Sequence, residues 1–354
     1  MRHTAAKLFA SLAIATSLAT VAAGQASADP SVTPAAQDIV GVGSDTTQAV
    51  SNQFSTDYNA YLTGKGDTTS PRLYSWDATP AGSITTKTGA TSITRPNGSG
   101  AGITALNANT STTVNFARSS RGPQTGDLTT DDFVAFAKDG VSWAALSTGN
   151  APANLTTADL AGIYTCSITN WNQITDIPGY TGANATIDAY LPQVSSGTRS
   201  FFLKAVGGGT TSITPGACVE SYTPEENEGT DAVFATDANA LVPYSAAHYI
   251  GQVYGGHTTT TDAPGNLTIR STDGLFPVTS AHVLDPTYTA TNYGRVVYNV
   301  FRDAEWTGTG ANPALKAIFG TAGWVCTNTT AKNDIASYGF QALKVGQCGG
   351  VTHI

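Results

Sequence analysis

The chain alternates short apolar runs with polar, hydroxyl-rich loops that open amphipathic segments. Asp38-Ile39-Val40-Gly41-Val42-Gly43 reads as a buried strand ending in glycine. Ser44-Asp45-Thr46-Thr47 follows, with Ser44 or Asp45 as a natural N-cap. Val50 and Phe54, four residues apart, mark the buried face of the helix beyond it. Residues 73–77 and 113–117 predict further strands. Between them a glycine-rich turn, Arg95 to Gly102, runs into a helix. Residues 131–138 predict a helix and 141–146 a strand. Thr156 and Asp159 have the spacing of a capping box ahead of a helix reaching Tyr164. Residues 187–191 alternate like a strand, and 201–206 begin another helix. The acidic turn 222–233 predicts the start of a further helix, and 238–252 alternates small and apolar residues. Residues 274–279 predict a strand with an edge proline. Residues 293–301 predict a helix with Val296, Val297 and Val300 on one side. Strands alternate with helices from end to end, which defines an α/β class.

Four loops are dense in hydrogen-bond donors: Ser44 to Thr47, Ser99 to Gly100, Arg118-Ser119-Ser120-Arg121, and Ser196-Gly197-Thr198-Arg199. A small hydroxyl-rich loop opening a helix aims backbone N–H groups and hydroxyls at one point on the positive end of the helix dipole. That is a seat for an oxyanion. Ser and Thr also cap helices with no ligand present, so one such loop alone carries little. The pair Gly41-x-Gly43 lacks the third glycine of a dinucleotide fingerprint, because position 46 is Thr.

The N-terminus changes the picture of where the protein works. Arg2 and Lys7 precede an apolar, Ala-rich run from Leu8 to Val21, and Ala26-Ser27-Ala28 fits a small-x-small cleavage site. Residues 1–28 are therefore expected to be a secretory signal peptide cleaved after Ala28, leaving a secreted, soluble chain. No cysteine for lipid attachment stands at that site; the first is Cys166. Four cysteines in an exported chain, Cys166, Cys218, Cys326 and Cys348, suggest two disulfides. Three pairings exist; Cys166–Cys218 and Cys326–Cys348 are favoured because each joins sequence neighbours, and each would add roughly 3–4 kcal/mol. No zinc-ribbon spacing is present and no cofactor is expected. The net charge of −8 argues against nucleic acid. It does not exclude one small buried anion, which local N–H dipoles can hold.

Taken in order, these segments resemble the phosphate-binding component of bacterial phosphate ABC transporters, a family of two-lobed periplasmic-type binding proteins. The distinctive match is Leu160-Ala161-Gly162-Ile163-Tyr164-Thr165-Cys166-Ser167-Ile168-Thr169-Asn170-Trp171. Ser196-Gly197-Thr198 resembles the family's phosphate loop, and Gly41 to Thr46 and Gly98 to Gly102 resemble its first two loops. Phe116 to Arg121, Asn227-Glu228-Gly229, Phe276 to Thr279 and Tyr338-Gly339-Phe340 are similar to later segments. The resemblance implies a type II fold: a mixed sheet flanked by helices in each lobe, with a two-crossover hinge. Residues 29–144 plus 280–354 would form lobe I and 145–279 lobe II, with one favoured disulfide in each. It implies a monomer that takes phosphate or a similar oxyanion between the lobes and serves an ABC permease. The implied ligand set is Ser44, Asp45, Thr46, Thr47, Ser99, Gly100, Arg118, Ser119, Ser120, Arg121, Ser196, Gly197, Thr198 and Arg199.

Three positions depart from the family. Ser120 stands where an Asp is common, which leaves Asp45 as the candidate acceptor for a proton of the ligand. Pro192 stands near where an Arg is common, so Arg118, Arg121 or Arg199 would replace it. The lipid-attachment cysteine is missing. Two rival classes remain. One is a secreted surface or matrix protein using the same fold without a small ligand. The other is a serine hydrolase with Ser99 or Ser196 as nucleophile and His248, His257 or His282 as base. Neither serine lies in G-x-S-x-G, since Asn97 and Val194 occupy the first glycine's place. The favoured reading is a binding protein and not an enzyme.

Overall fold

The structure, a computed structural model, describes residues 29–354; the expected signal peptide lies outside them. The strands are β1 (Ile39–Gly43), β2 (Leu73–Ser75), β3 (Ser83–Ile84), β4 (Ile93–Thr94), β5 (Phe116–Ser119), β6 (Asp131–Leu146), β7 (Asn154–Leu155), β8 (Asp188–Ala189), β9 (Ala240–Ser245), β10 (Leu267–Ile269), β11 (Ser271–Thr272), β12 (Gly294–Arg302), β13 (Gln341–Ala342) and β14 (Val351–Thr352). The helices are α1 (Gln48–Gly64), α2 (Ser99–Ala108), α3 (Thr157–Tyr164), α4 (Gly197–Val206), α5 (Ala246–Val253), α6 (Asp303–Trp306), α7 (Pro313–Phe319), α8 (Trp324–Thr327) and α9 (Thr329–Ser337).

One mixed sheet runs in the order β2-β1-β5-β12-β6-β9-β8. Its two parts meet on β6. From Asp131 to Gly140 this strand pairs antiparallel with β12, and from Val141 to Ala145 it pairs antiparallel with β9. The parallel pairs β1–β2 and β1–β5 lie on one side of that handover, and β8–β9 on the other. Each part therefore supplies its own strand ends, and the loops beyond them face a common seam.

Two helices expected from the sequence are strands. Residues 131–138 belong to β6 and residues 294–301 to β12. The reason is burial on both faces. Val134 and Phe136 enter one apolar cluster, Phe133 and Ala135 another; likewise Val297 and Phe301 against Tyr298 and Val300. A strand covered on both sides is a continuous apolar run, which periodicity does not separate from a buried helix. Residues 274–279 form a loop after β11, and the acidic segment 222–233 yields only a 3-10 turn at Ala232–Phe234. Helix α1 is preceded by Thr47, with no side-chain cap, instead of being capped by Ser44 or Asp45. The capping box at Thr156 and Asp159 is formed.

The disulfides are Cys166–Cys218 and Cys326–Cys348, with Cα–Cα distances of 5.7 and 5.6 Å. Trp143, Trp171 and Tyr164 anchor a third apolar cluster that includes Phe202 of α4. That packing fixes the start of α4. Among the described residues no helix is long and apolar enough to cross a membrane.

Candidate functional site

The seam brings together the loops after β1, at the start of α2, after β5 and at the start of α4. Ser196 caps α4: its hydroxyl accepts from the Arg199 N–H at 3.0 Å. Gly197 then lies so close to α2 and β5 that an added Cβ would overlap the hydroxyls of both Ser99 and Ser120 and lie 3.1 Å from the Ser99 Cβ. The Ser99 hydroxyl accepts from the Ser120 N–H at 3.0 Å, and the Gly100 N–H donates to the Ser195 carbonyl at 2.9 Å. Thr198 meets the first loop, its hydroxyl 3.1 Å from that of Thr46. Hydroxyls and amides from all four loops thus lie across one closed contact.

A cation arrives from an element to which the sequence reading gave no part in the site. Arg295, on β12, is the cross-strand partner of Asp139 on β6. Its Nε and Nη2 donate to one Asp139 oxygen at 2.9 and 2.7 Å, and Nη2 also donates to the Thr198 hydroxyl at 3.0 Å. Both side chains are buried. Asp139 further accepts from the Ser245 hydroxyl and the Ala247 N–H at the β9–α5 junction. The pair therefore sits at the handover within β6 and touches the start of α4. The Arg295 Nη1 is buried without a hydrogen-bond partner, as are the hydroxyls of Ser44 and Thr47. Leaving such groups unsatisfied costs about 1–3 kcal/mol each.

The three arginines expected at the site are engaged elsewhere. Arg118 is fully buried behind the first loop. It donates to the carbonyls of Ser44 (3.0 Å) and Trp76 (2.7 Å) and to the Ser75 hydroxyl (2.7 Å), so it shapes the loop from below. Burial pulls its pKa down to about 10. Arg121 is held by Asp127 at 2.6 and 2.8 Å. Arg199 donates to the Pro192 carbonyl at 2.9 Å. The Ser119 hydroxyl turns back to the Arg121 carbonyl at 2.8 Å.

Acidic groups border the same contact. A Glu226 oxygen accepts from the Thr46 hydroxyl at 2.5 Å and from the Thr198 N–H at 3.3 Å. The residue is 2% exposed, and its other oxygen is buried and unpartnered. A carboxylate of the chain itself thus occupies the N-terminal end of α4. The Asn227 amide donates to the Thr46 hydroxyl at 3.1 Å. Behind this loop His248 binds Asp262 at 2.6 Å and lies 3.2 Å from the Thr46 carbonyl. Burial acts to lower its pKa, but Asp262, Asp45 and that carbonyl outweigh burial and hold it at about 10. Asp45 is half-buried. Burial raises its proton affinity well above the usual carboxylate range; Asp262, Glu225 and Glu226 add to this and His248 opposes it.

Sequence reasoning missed Arg295, Asp139 and Glu226 as members of this region, and brought in His248 only as the base of a hydrolase. Arg295 stands in a run that reads as a helix, and Asp139 lies between the runs read as a helix and a strand, so their pairing was invisible. For Arg295 the available signal was a lone charge in an otherwise apolar stretch, since a charge carried into a core has to be paired; Asp139 follows Lys138 and carried no such signal. None of His248, His257 and His282 is hydrogen-bonded to Ser99 or Ser196. His257 stacks on Tyr338 and His282 on Tyr254.

The chain belongs to the PBP superfamily, whose domain matches residues 30–317. It is similar in structure to an ABC-type phosphate transport receptor from Vibrio cholerae, with a TM-score of 0.56 and 19% identity over 86% of this chain and 100% of that one. It is also similar to a putative phosphate ABC transporter substrate-binding protein with bound phosphate from Clostridium perfringens, with a TM-score of 0.55 and 16% identity over 87% and 100% of the two chains. A high-affinity periplasmic phosphate-binding protein bound with phosphate gives a TM-score of 0.51 and 16% identity over 88% of this chain and 91% of that one. None of the curated proteins matches it in sequence.

These comparisons and the sheet establish the mixed α/β periplasmic-binding-protein fold. Closure of the seam depends on the missing side chain at Gly197. In Gly197→Ala the affinity for any anion held in the seam is expected to fall at least tenfold with the melting temperature nearly unchanged. Calorimetry and a thermal melt on the same sample check both.

Proposed function

We propose that the chain binds inorganic phosphate in the seam between two lobes, 29–144 plus 280–354 and 145–279, outside the cytoplasm, for uptake through an ABC permease. The observation that carries this reading is the set of unpartnered buried donors on the elements that border the seam: the hydroxyls of Ser44 and Thr47 in the loop after β1 and the Nη1 of Arg295 on β12. A tetrahedral oxyanion accepts several hydrogen bonds per oxygen, and the bonds from a guanidinium are the strong ones. The N–H groups that open α4 add the positive end of a helix dipole. Membership of a superfamily of binding proteins and the phosphate-bound relatives support the same ligand.

Donors from both lobes meet only on closure, so the ligand stabilises the closed state by differential contacts. Arg295 takes the part of the arginine that Pro192 replaces. Phosphate, unlike sulfate, still carries a proton at neutral pH, and a carboxylate that accepts its hydrogen bond discriminates between the two. Asp45 is assigned that role. The mature protein acts as a secreted monomer.

Calorimetric titration of the chain from Asp29 with phosphate, sulfate and a panel of sugars tests the reading. Heat and thermal stabilisation are expected with phosphate; their absence returns the protein to the ligand-free surface class. Asp45→Asn is expected to loosen discrimination against sulfate, and unchanged selectivity would remove Asp45 from the role.

A further inference from the structure

The loop after β1 is gripped at two of its peptides. At its start the Ser44 N–H donates to the Arg118 carbonyl at 3.1 Å, and the Ser44 carbonyl accepts from the Arg118 Nε at 3.0 Å. That grip comes from β5, the neighbour of β1 in the sheet. Two residues on, the Thr46 carbonyl instead meets Nδ1 of His248 on α5, at 3.2 Å. Helix α5 follows β9, so this second contact crosses the seam. Helix α1, which the loop opens, has no side-chain cap of its own to fix the same turn.

Hydrogen-bond chemistry sets the state of the His248 ring. Its Nε2 lies 2.6 Å from a carboxylate oxygen of Asp262, and its Nδ1 faces the Thr46 carbonyl. Both partners only accept. A neutral imidazole has one donor, so the two contacts together require the doubly protonated ring. Burial opposes that state, and Asp262 and Asp45 outweigh it and hold the pKa at about 10. The ring is also fixed in place. The Ser245 hydroxyl accepts from the His248 N–H at 3.0 Å. Gln252, one helical turn on, donates to the same Asp262 oxygen at 2.7 Å and accepts from the Tyr244 hydroxyl at 2.7 Å. His248, Gln252 and Tyr244 are all buried.

A trans peptide is one rigid plane with its C=O and N–H on opposite sides. Fixing the Thr46 carbonyl therefore fixes the direction of the Thr47 N–H, and with it the turn that carries the hydroxyls of Thr46 and Thr47. We propose that His248 is a positioning residue of the anion seat: clamped by Asp262, it donates from Nδ1 to the Thr46 carbonyl and holds the first donor loop in place across the seam. Its part in binding rests on the phosphate reading above; its grip on the loop does not.

Two measurements on the chain from Asp29 test this. The first is nitrogen NMR of histidine-labelled wild type at about pH 8, where an ordinary His is neutral. Both ring nitrogens of His248 are expected to be protonated; a proton on one nitrogen alone would overturn the proposal. The second uses Asp262→Asn, which keeps an acceptor for Nε2 and removes the charge. The other titratable groups acting on the ring, Asp45, Glu228 and His257, stay as they are. His248 then loses its second proton as the pH rises through its new, lower pKa, so the contact with Thr46 is present in acid and lost in base. The loop is read from hydrogen exchange of the Gln48 and Ser51 N–H groups, which bond the Asp45 and Thr47 carbonyls. Relative to wild type at the same pH, exchange is expected to be equal at about pH 5.5 and at least tenfold faster at about pH 8. Phosphate affinity, taken as the same ratio, should follow the same course. An exchange ratio that is the same at both pH values, or an affinity ratio that stays fixed while exchange moves, would sink the assignment. The wild-type spectrum decides even if the variant does not fold. A wild type that takes no phosphate overturns the reading of the seat instead, and the spectrum and the exchange still decide whether His248 holds the loop.

Discussion

Arg295→Met is expected to abolish phosphate binding and to lower the melting temperature by about 10 °C. Removing one partner of a buried ion pair costs about 3–5 kcal/mol, because the other charge stays behind unpaired. Here the charge left behind is Asp139, on the strand that both parts of the sheet share. The two effects separate in a double variant. Asp139→Asn keeps an acceptor for the Gly140 and Ala247 N–H groups, which now bond its Oδ1. Arg295→Met/Asp139→Asn should therefore recover much of the stability while remaining unable to bind phosphate. Thermal melts and calorimetry on the single and double variants check this. Phosphate binding retained in the single variant would assign Arg295 a structural role alone.

Glu226→Gln should tighten phosphate binding by roughly tenfold to a hundredfold. An anion seated at the start of α4 has to take the Thr198 N–H and the Thr46 hydroxyl, both of which now serve Glu226. It also meets a like charge at close range. Two unit charges 4 Å apart repel by about 4 kcal/mol at an effective dielectric of 20, and part of this is relieved by reorientation. The amide keeps the shape and an acceptor oxygen but removes the charge, so sulfate should gain as well. Titration of both anions against wild type and variant decides the matter. Weaker phosphate binding with unchanged sulfate binding would instead make Glu226, not Asp45, the acceptor of the ligand's proton.

These two side chains illustrate how unevenly the site could be read from the chain. Loop residues announce themselves locally. Ser196-Gly197-Thr198 and Ser44 to Thr47 lie between a strand pattern and a helix pattern, and Ser99-Gly100 between a glycine-rich turn and a helix pattern; short-range order alone predicts donors there. Arg295 and Asp139 have no such local signature. They are 156 residues apart and become neighbours only through the β12–β6 register. Arg118, Arg121 and Arg199 are the opposite case. They stand beside the donor loops in sequence, yet backbone carbonyls and Asp127 hold their guanidinium groups.

What the sequence determined by itself is the α/β class, the four hydroxyl-rich loops, the capping box at Thr156 and the favoured cysteine pairing. All rest on interactions within a few residues, or on few alternatives. Tertiary structure alone decided which segments in the middle of the sheet are strands, because burial on both faces of β6 and β12 erases the alternation that marks a strand. It also decided which charges reach the seam. A buried charge is placed by the partner it needs, and that partner is chosen by strand register and not by distance along the chain.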